Sequence, residues 1–95
     1  MNVRISRQAL SDLQAIYRQG VRQFGEQQAT AYQQALSEAF RFIAEFPNAN
    51  RARAEFAKPY RNHRHQAHLI FYRVEDDEVH ITRIRRGRED WNPSA

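Results

Sequence analysis

A chain of 95 residues, 41% apolar and 12% aromatic, has material for one packed core and no second, which argues against a multidomain enzyme and against wholesale disorder. It has no cysteine, which excludes disulfide frameworks and thiolate metal sites, and no apolar run approaches the length that spans a bilayer. Its 15 Lys and Arg against 11 acids leave a net charge of +4 and a pI near 10.1, and every cation but Lys58 is arginine, whose planar fork suits phosphate or an acidic protein face.

Val3-Arg4-Ile5 alternates and is β-branched, which predicts a short first strand, and Ser6 is placed to N-cap a helix. Leu10, Leu13, Ile16, Tyr17, Val21 and Phe24 then recur at spacings of three and four, one face of a 3.6-residue period. Gly25 is placed to end that helix, and Gly20 marks either a soft spot or a close helix approach. A second helix opens near Glu26 on Ala29, Tyr32, Leu36, Ala39, Phe40 and Ile43, and stops before Pro47. The connection is so short that the two helices form an antiparallel hairpin, and their apolar stripes read as core.

Residues 48–54 read as a polar turn, and 56–62 as a broken strand that Pro59 confines to an edge. Residues 67–74 form the strongest strand, Glu75 to Glu78 an acidic turn, and 79–85 its hairpin partner. The tail 87–95 has room for a helical turn before Pro93. The order β-α-α-β-β-β predicts an α+β domain over 1–95, a helical hairpin packed on one face of a mostly antiparallel sheet.

Two basic clusters stand out. In the first, Arg51, Arg53, Lys58, Arg61 and Arg64 face only Glu55, with Phe56 and Tyr60 interleaved, a mixture suited to phosphate contacts and base stacking. The second is Arg83-Ile84-Arg85-Arg86-Gly87-Arg88. His63, His65 and His68 do not make a metal site, since strand alternation separates them and no acidic or thiolate ligand is near. These histidines and His80 do offer acid and base groups for metal-free RNA cleavage, with the arginines around the phosphorane.

Four pieces stand in a telling order: His68-Leu69-Ile70-Phe71-Tyr72-Arg73-Val74, the turn Glu75-Asp76-Asp77, Val79-His80-Ile81-Thr82-Arg83-Ile84, and Gly87-Arg88-Glu89-Asp90. Upstream are Ser6, Ala9, Asp12, Leu13, Ile16 and Tyr17 at helical spacing, then Tyr32 and the closing Phe46-Pro47. Together these resemble the ParE branch of the RelE/ParE bacterial toxin superfamily. The resemblance implies a cytoplasmic type II toxin silenced by a cognate ParD-like antitoxin. The ParE branch poisons DNA gyrase, whereas the RelE branch cleaves mRNA on the ribosome.

One departure matters: where the family often carries Leu-His before the glycine, this chain has Arg85-Arg86. A His or Tyr near that end is catalytic in the nuclease branch, so the expectation tilts to a non-enzymatic gyrase poison. A ribosome-dependent endonuclease using Arg61, His63, His68 and Arg83 is the alternative, and a module that has lost toxicity is a third. The target surface is expected at Arg61, Arg64, Arg83, Arg85, Arg86, Arg88 and Trp91. The antitoxin is expected at Tyr17, Phe24, Tyr32 and Arg85. No metal, cofactor, membrane or small-molecule substrate is expected.

Overall fold

The computed structural model describes residues 1–53 and 59–87. It contains β1 (Asn2–Ile5), α1 (Arg7–Phe24), α2 (Glu26–Glu45), β2 (Arg61–His65), β3 (His68–Glu75) and β4 (Glu78–Arg86). The sheet runs β1-β4-β3-β2, with β1 parallel to β4 and the other pairs antiparallel.

The local signals explain most element ends. The Ser6 hydroxyl accepts from Ala9 N–H at 3.0 Å and so caps α1. Gly25, at φ 91°, separates the helices; its N–H reaches Val21 O at 3.0 Å, closing α1 before α2 begins. Gly20 is the close-approach site: a Cβ there would sit 3.3 Å from the Ala29 methyl. The turn at Asp76-Asp77 has both residues at positive φ (52° and 59°), a geometry that Asp tolerates and that matches the twist of a two-residue hairpin.

Two expectations shift. The strand placed at 56–62 begins instead at Arg61, beyond Pro59, which has no N–H to donate to a ladder; Tyr60 joins Arg53 in an isolated bridge ahead of it. Residues 54–58 lie outside the described residues, as does the helical turn expected in the tail beyond Gly87. The β2–β3 connection is a tight hairpin at Gln66-Ala67, with Gln66 at φ 51°, and no Gly, Asn or Pro announces it.

The core lies between the helices and one sheet face. Leu36, Phe40 and Ile43 of α2 and Ala9 of α1 meet Ile70 and Tyr72 of β3 and Val79, Ile81 and Ile84 of β4. Burying each large aliphatic side chain contributes about 1.5–3 kcal/mol. The deepest part of α2 is therefore its second half, and the loop end of the hairpin extends past the sheet. Phe71 alternates to the opposite face, where its ring lies 5.8 Å from that of Tyr60.

The helical layer is tied to the sheet where β1 stops. β1 covers β4 only as far as Ile81, and the register between β3 and β4 shifts at Phe71/Tyr72, leaving Thr82 unpaired there. Ser6 fills part of the gap, donating from its N–H to Ile81 O at 3.0 Å and from its hydroxyl to Thr82 O at 2.8 Å. Asp12 of α1 fills the rest. Its carboxylate accepts from Ile84 N–H at 2.9 Å and from Arg83 Nε and Nη2 at 2.9 and 3.2 Å.

Both Asp12 and Arg83 side chains are only 15% exposed, so losing one partner strands a charge away from water. Asp12→Ala orphans the guanidinium and the Ile84 N–H together. It is expected to lower unfolding free energy by about 3 kcal/mol, more than Arg83→Ala, as urea titration will measure. A loss under about 0.5 kcal/mol would remove this tie from the account of the fold.

Candidate functional site

The overhanging end of the hairpin leaves a groove. Its helical wall is built by Ile16, Gly20 and Phe24 of α1 with Ala29, Tyr32 and Ala35 of α2, and the cavity measures about 770 Å³. Gln66, Ala67, His68 and Arg86 close it from the sheet side. Phe24 stands at the lip, 66% exposed, an aromatic ring left without core to cover it. Pairing of His68 with Arg86 across β3 and β4 puts both at this end of the sheet.

Tyr32 links the two layers on the groove floor. Its hydroxyl lies 2.7 Å from His68 Nδ1 and 3.3 Å from His65 O, and its ring packs against both imidazoles at centroid distances of 5.6 and 5.4 Å. Burial is the main cause that lowers the His68 pKa, with the Arg86 charge and then His65 adding to it. Burial likewise raises the Tyr32 pKa, against a backbone hydrogen bond at Ala67 and the Arg86 charge. The floor thus favours neutral hydrogen-bonding groups, beside one exposed cation.

The remaining expected residues lie elsewhere. Arg61 donates through Nη1 to Asn50 O, and His63 Nδ1 lies 3.0 Å from Asn50 Nδ2. Asn50 Nδ2 also donates to the Tyr72 hydroxyl at 3.2 Å, and that hydroxyl donates to Pro47 O at 3.0 Å. This knot holds the loop that follows α2 against the sheet edge. The His63 ring also packs on Phe42, 5.4 Å between centroids. Phe42 is ten positions beyond Tyr32 on α2, about 15 Å along the helix, so His63 and His68 meet different parts of α2. The β2–β3 register nonetheless sets His63 only two steps from the His65–His68 pair. Arg83 is held by Asp12, which with burial opposing it raises the Arg83 pKa.

Arg64 lies on the exposed side of β2, reaching Gln66 O at 3.2 Å and Gly87 O at 3.3 Å. It lies so close over Gly87 that a Cβ there would come within 2.6 Å of Nη1. Arg85 is half-buried opposite Leu69. Tyr17 borders a separate shallow depression with Leu13, Gln14, Arg18 and Gln33. Arg88 and Trp91 lie outside the described residues. On the outer sheet face Arg4 pairs with Glu78 and Arg73 with Glu75, each at 3.1 Å, so that part of the surface is charge-balanced.

The structure therefore joins Phe24 and Tyr32, expected at the antitoxin, to Arg86, expected at the target, and to His68, expected only in the endonuclease reading. It does not gather Arg61, His63, His68 and Arg83 into one site. The structural duty of Asp12 had no signal in the apolar pattern, which treats it as a polar face residue. Among the described residues no group of three or more metal-ligating side chains is assembled, and no helix is long and apolar enough to cross a membrane.

Residues 3–91 match the family model described as ParE toxin of type II toxin-antitoxin system, parDE. Toxin ParE1 of Caulobacter vibrioides is 32% identical over 71 residues, covering 75% of this chain and 74% of that protein. A solved structure titled chromosomal ParDE TA system from P. aeruginosa superposes with a TM-score of 0.78 at 27% identity, covering 90% of this chain and 95% of the other.

The half-buried histidines His63 and His68 make stability depend on pH. Burial lowers the pKa of both His63 and His68 from 6.5, so just below that value the unfolded chain binds more protons than the folded one. Their contribution is complete above about pH 6.5 and is lost as pH falls through the folded pKa values. Urea midpoints are expected to fall between pH 7.5 and 5.5, and the double variant His63→Gln/His68→Gln to flatten the slope. A midpoint that rises on acidification contradicts this.

Proposed function

We propose, from the premise that this chain belongs to the ParE toxins of type II toxin–antitoxin systems, that it arrests growth by trapping DNA gyrase without itself performing catalysis. The observation that supports this over RNA cleavage is the engagement of each acid–base candidate with a different structural partner. General acid–base catalysis needs its groups within hydrogen-bond reach of one phosphodiester. Here His63 is committed to Asn50, His68 to Tyr32 and Arg83 to Asp12, in three separate contacts. The end-of-strand position that carries a catalytic His or Tyr in nuclease relatives is filled by Arg85-Arg86, guanidinium groups in place of an imidazole or phenol.

The antitoxin partner that such a system implies then has a place to act. The groove between the hairpin and the β2–β3 turn offers an apolar trench of the kind that receives an amphipathic helix. A partner tail that folds only on binding costs ordering entropy, and burying Phe24 and the alanine wall offsets that cost.

A trap and an enzyme differ in stoichiometry. Purified toxin is expected to abolish gyrase supercoiling or to accumulate cleaved DNA complexes, with the effect saturating near one toxin per gyrase site. His63→Gln is expected to retain that inhibition within about twofold. Unchanged supercoiling at saturating toxin overturns the proposal, and codon-positioned mRNA cleavage in a translating extract replaces it with the endonuclease.

A further inference from the structure

We propose that Arg86 sets the partner specificity of the groove, by pairing with a carboxylate that the bound helix carries on its otherwise apolar face. The inference rests on the reading of the groove as the antitoxin site and adds the chemistry that selects the occupant. Among the described residues the groove lining contains one cation, Arg86, and no acid. Arg86 is exposed at the end of β4 and makes no ion pair among the described residues. Every other polar contributor to the lining is a neutral amide, a tyrosine or a histidine.

The neighbours do not compete for the anion. Tyr32 and His68 already satisfy one another at 2.7 Å, and Tyr32 also reaches His65 O. A carboxylate entering the trench therefore meets one guanidinium whose fork is open and whose geometry permits two parallel hydrogen bonds. Apolar walls lower the local dielectric, which strengthens that pair and makes an uncharged or cationic residue at the same place costly.

The same count argues against a nucleic acid strand. A phosphodiester backbone presents a charge at every nucleotide and is held by several cations along its track. Among the described residues this trench presents one, beside methyl groups and an exposed phenyl ring. The helical wall runs from Ile16 to Phe24, about 12 Å, which accommodates about two turns of a partner helix. The matching ligand is a short amphipathic helix with apolar residues three and four apart and one Asp or Glu among them.

The test is titration of the toxin with its cognate antitoxin, at matched salt, using variants on the exposed rim. Arg86→Glu is expected to weaken binding at least tenfold and Arg86→Ala less, while Arg86→Lys, which keeps the charge but not the fork, loses least. Reversing one antitoxin acid to arginine is expected to restore binding to Arg86→Glu alone. Phe24→Glu serves as the control for the groove itself, since this ring is exposed and contributes nothing to the core. Loss with Phe24→Glu but none with Arg86→Glu overturns the carboxylate pairing and leaves the groove reading intact. No loss with either variant overturns the groove reading. Failure of every acid reversal to rescue Arg86→Glu also overturns the proposal, as does an RNA oligonucleotide whose binding depends on Arg86 while antitoxin affinity does not.

Discussion

The carboxylate of Asp12 holds α1 to the point where β4 loses its partner strand. β4 is an inner strand, yet β1 accompanies it only to Ile81. Beyond that point the strand turns an edge toward α1, and an edge with unpaired N–H groups is both costly when buried and prone to foreign pairing. Asp12 answers the Ile84 N–H and the Arg83 guanidinium with one side chain. That geometry sets where α1 lies along the sheet, since a helix one turn out of register would carry the acid about 5.4 Å away.

The groove follows from this placement. With α1 anchored near its start and α2 buried over Leu36 to Ile43, the loop end of the hairpin has no strand of the described residues beneath it. Its inward-facing residues are still apolar, because the heptad-like spacing that built the core continues through Ile16, Ala29 and Tyr32. The close passage of Gly20 past Ala29 keeps the two helices parallel there instead of letting them splay and fill the space. An apolar trench is left over by the geometry of the layers, and the Tyr32 hydroxyl stitches its floor to β3.

The helices were legible in the sequence because a 3.6-residue period and two glycines leave little choice, and the β3–β4 hairpin because Asp76-Asp77 tolerates the left-handed turn. The Gln66-Ala67 turn was not legible: its residues have no turn preference, and the register is imposed by the strands that flank it. The division of labour among the arginines was also hidden. A count of cations along the chain does not distinguish Arg83, locked to an acid 71 residues away, from Arg86 three positions later. Long-range pairing decides which charge remains available, and local pattern carries no information about it.

That distinction changes what an arginine-rich sheet means. Arg4 and Arg73 are neutralised by acids on the same sheet, Arg61 and Arg64 hold backbone carbonyls, and Arg83 secures α1. Most of these charges are internal fastenings, exchanging a solvated cation for directional bonds that fix loops and layers. Net charge of +4 still favours encounter with acidic partners at long range. Short-range recognition is a separate property, and it belongs to the position where the strand register leaves a guanidinium exposed beside an apolar trench. Arg86 occupies that position because it lies opposite His68 at the last paired step of β4, beyond the reach of β1 and past the acid that claims Arg83.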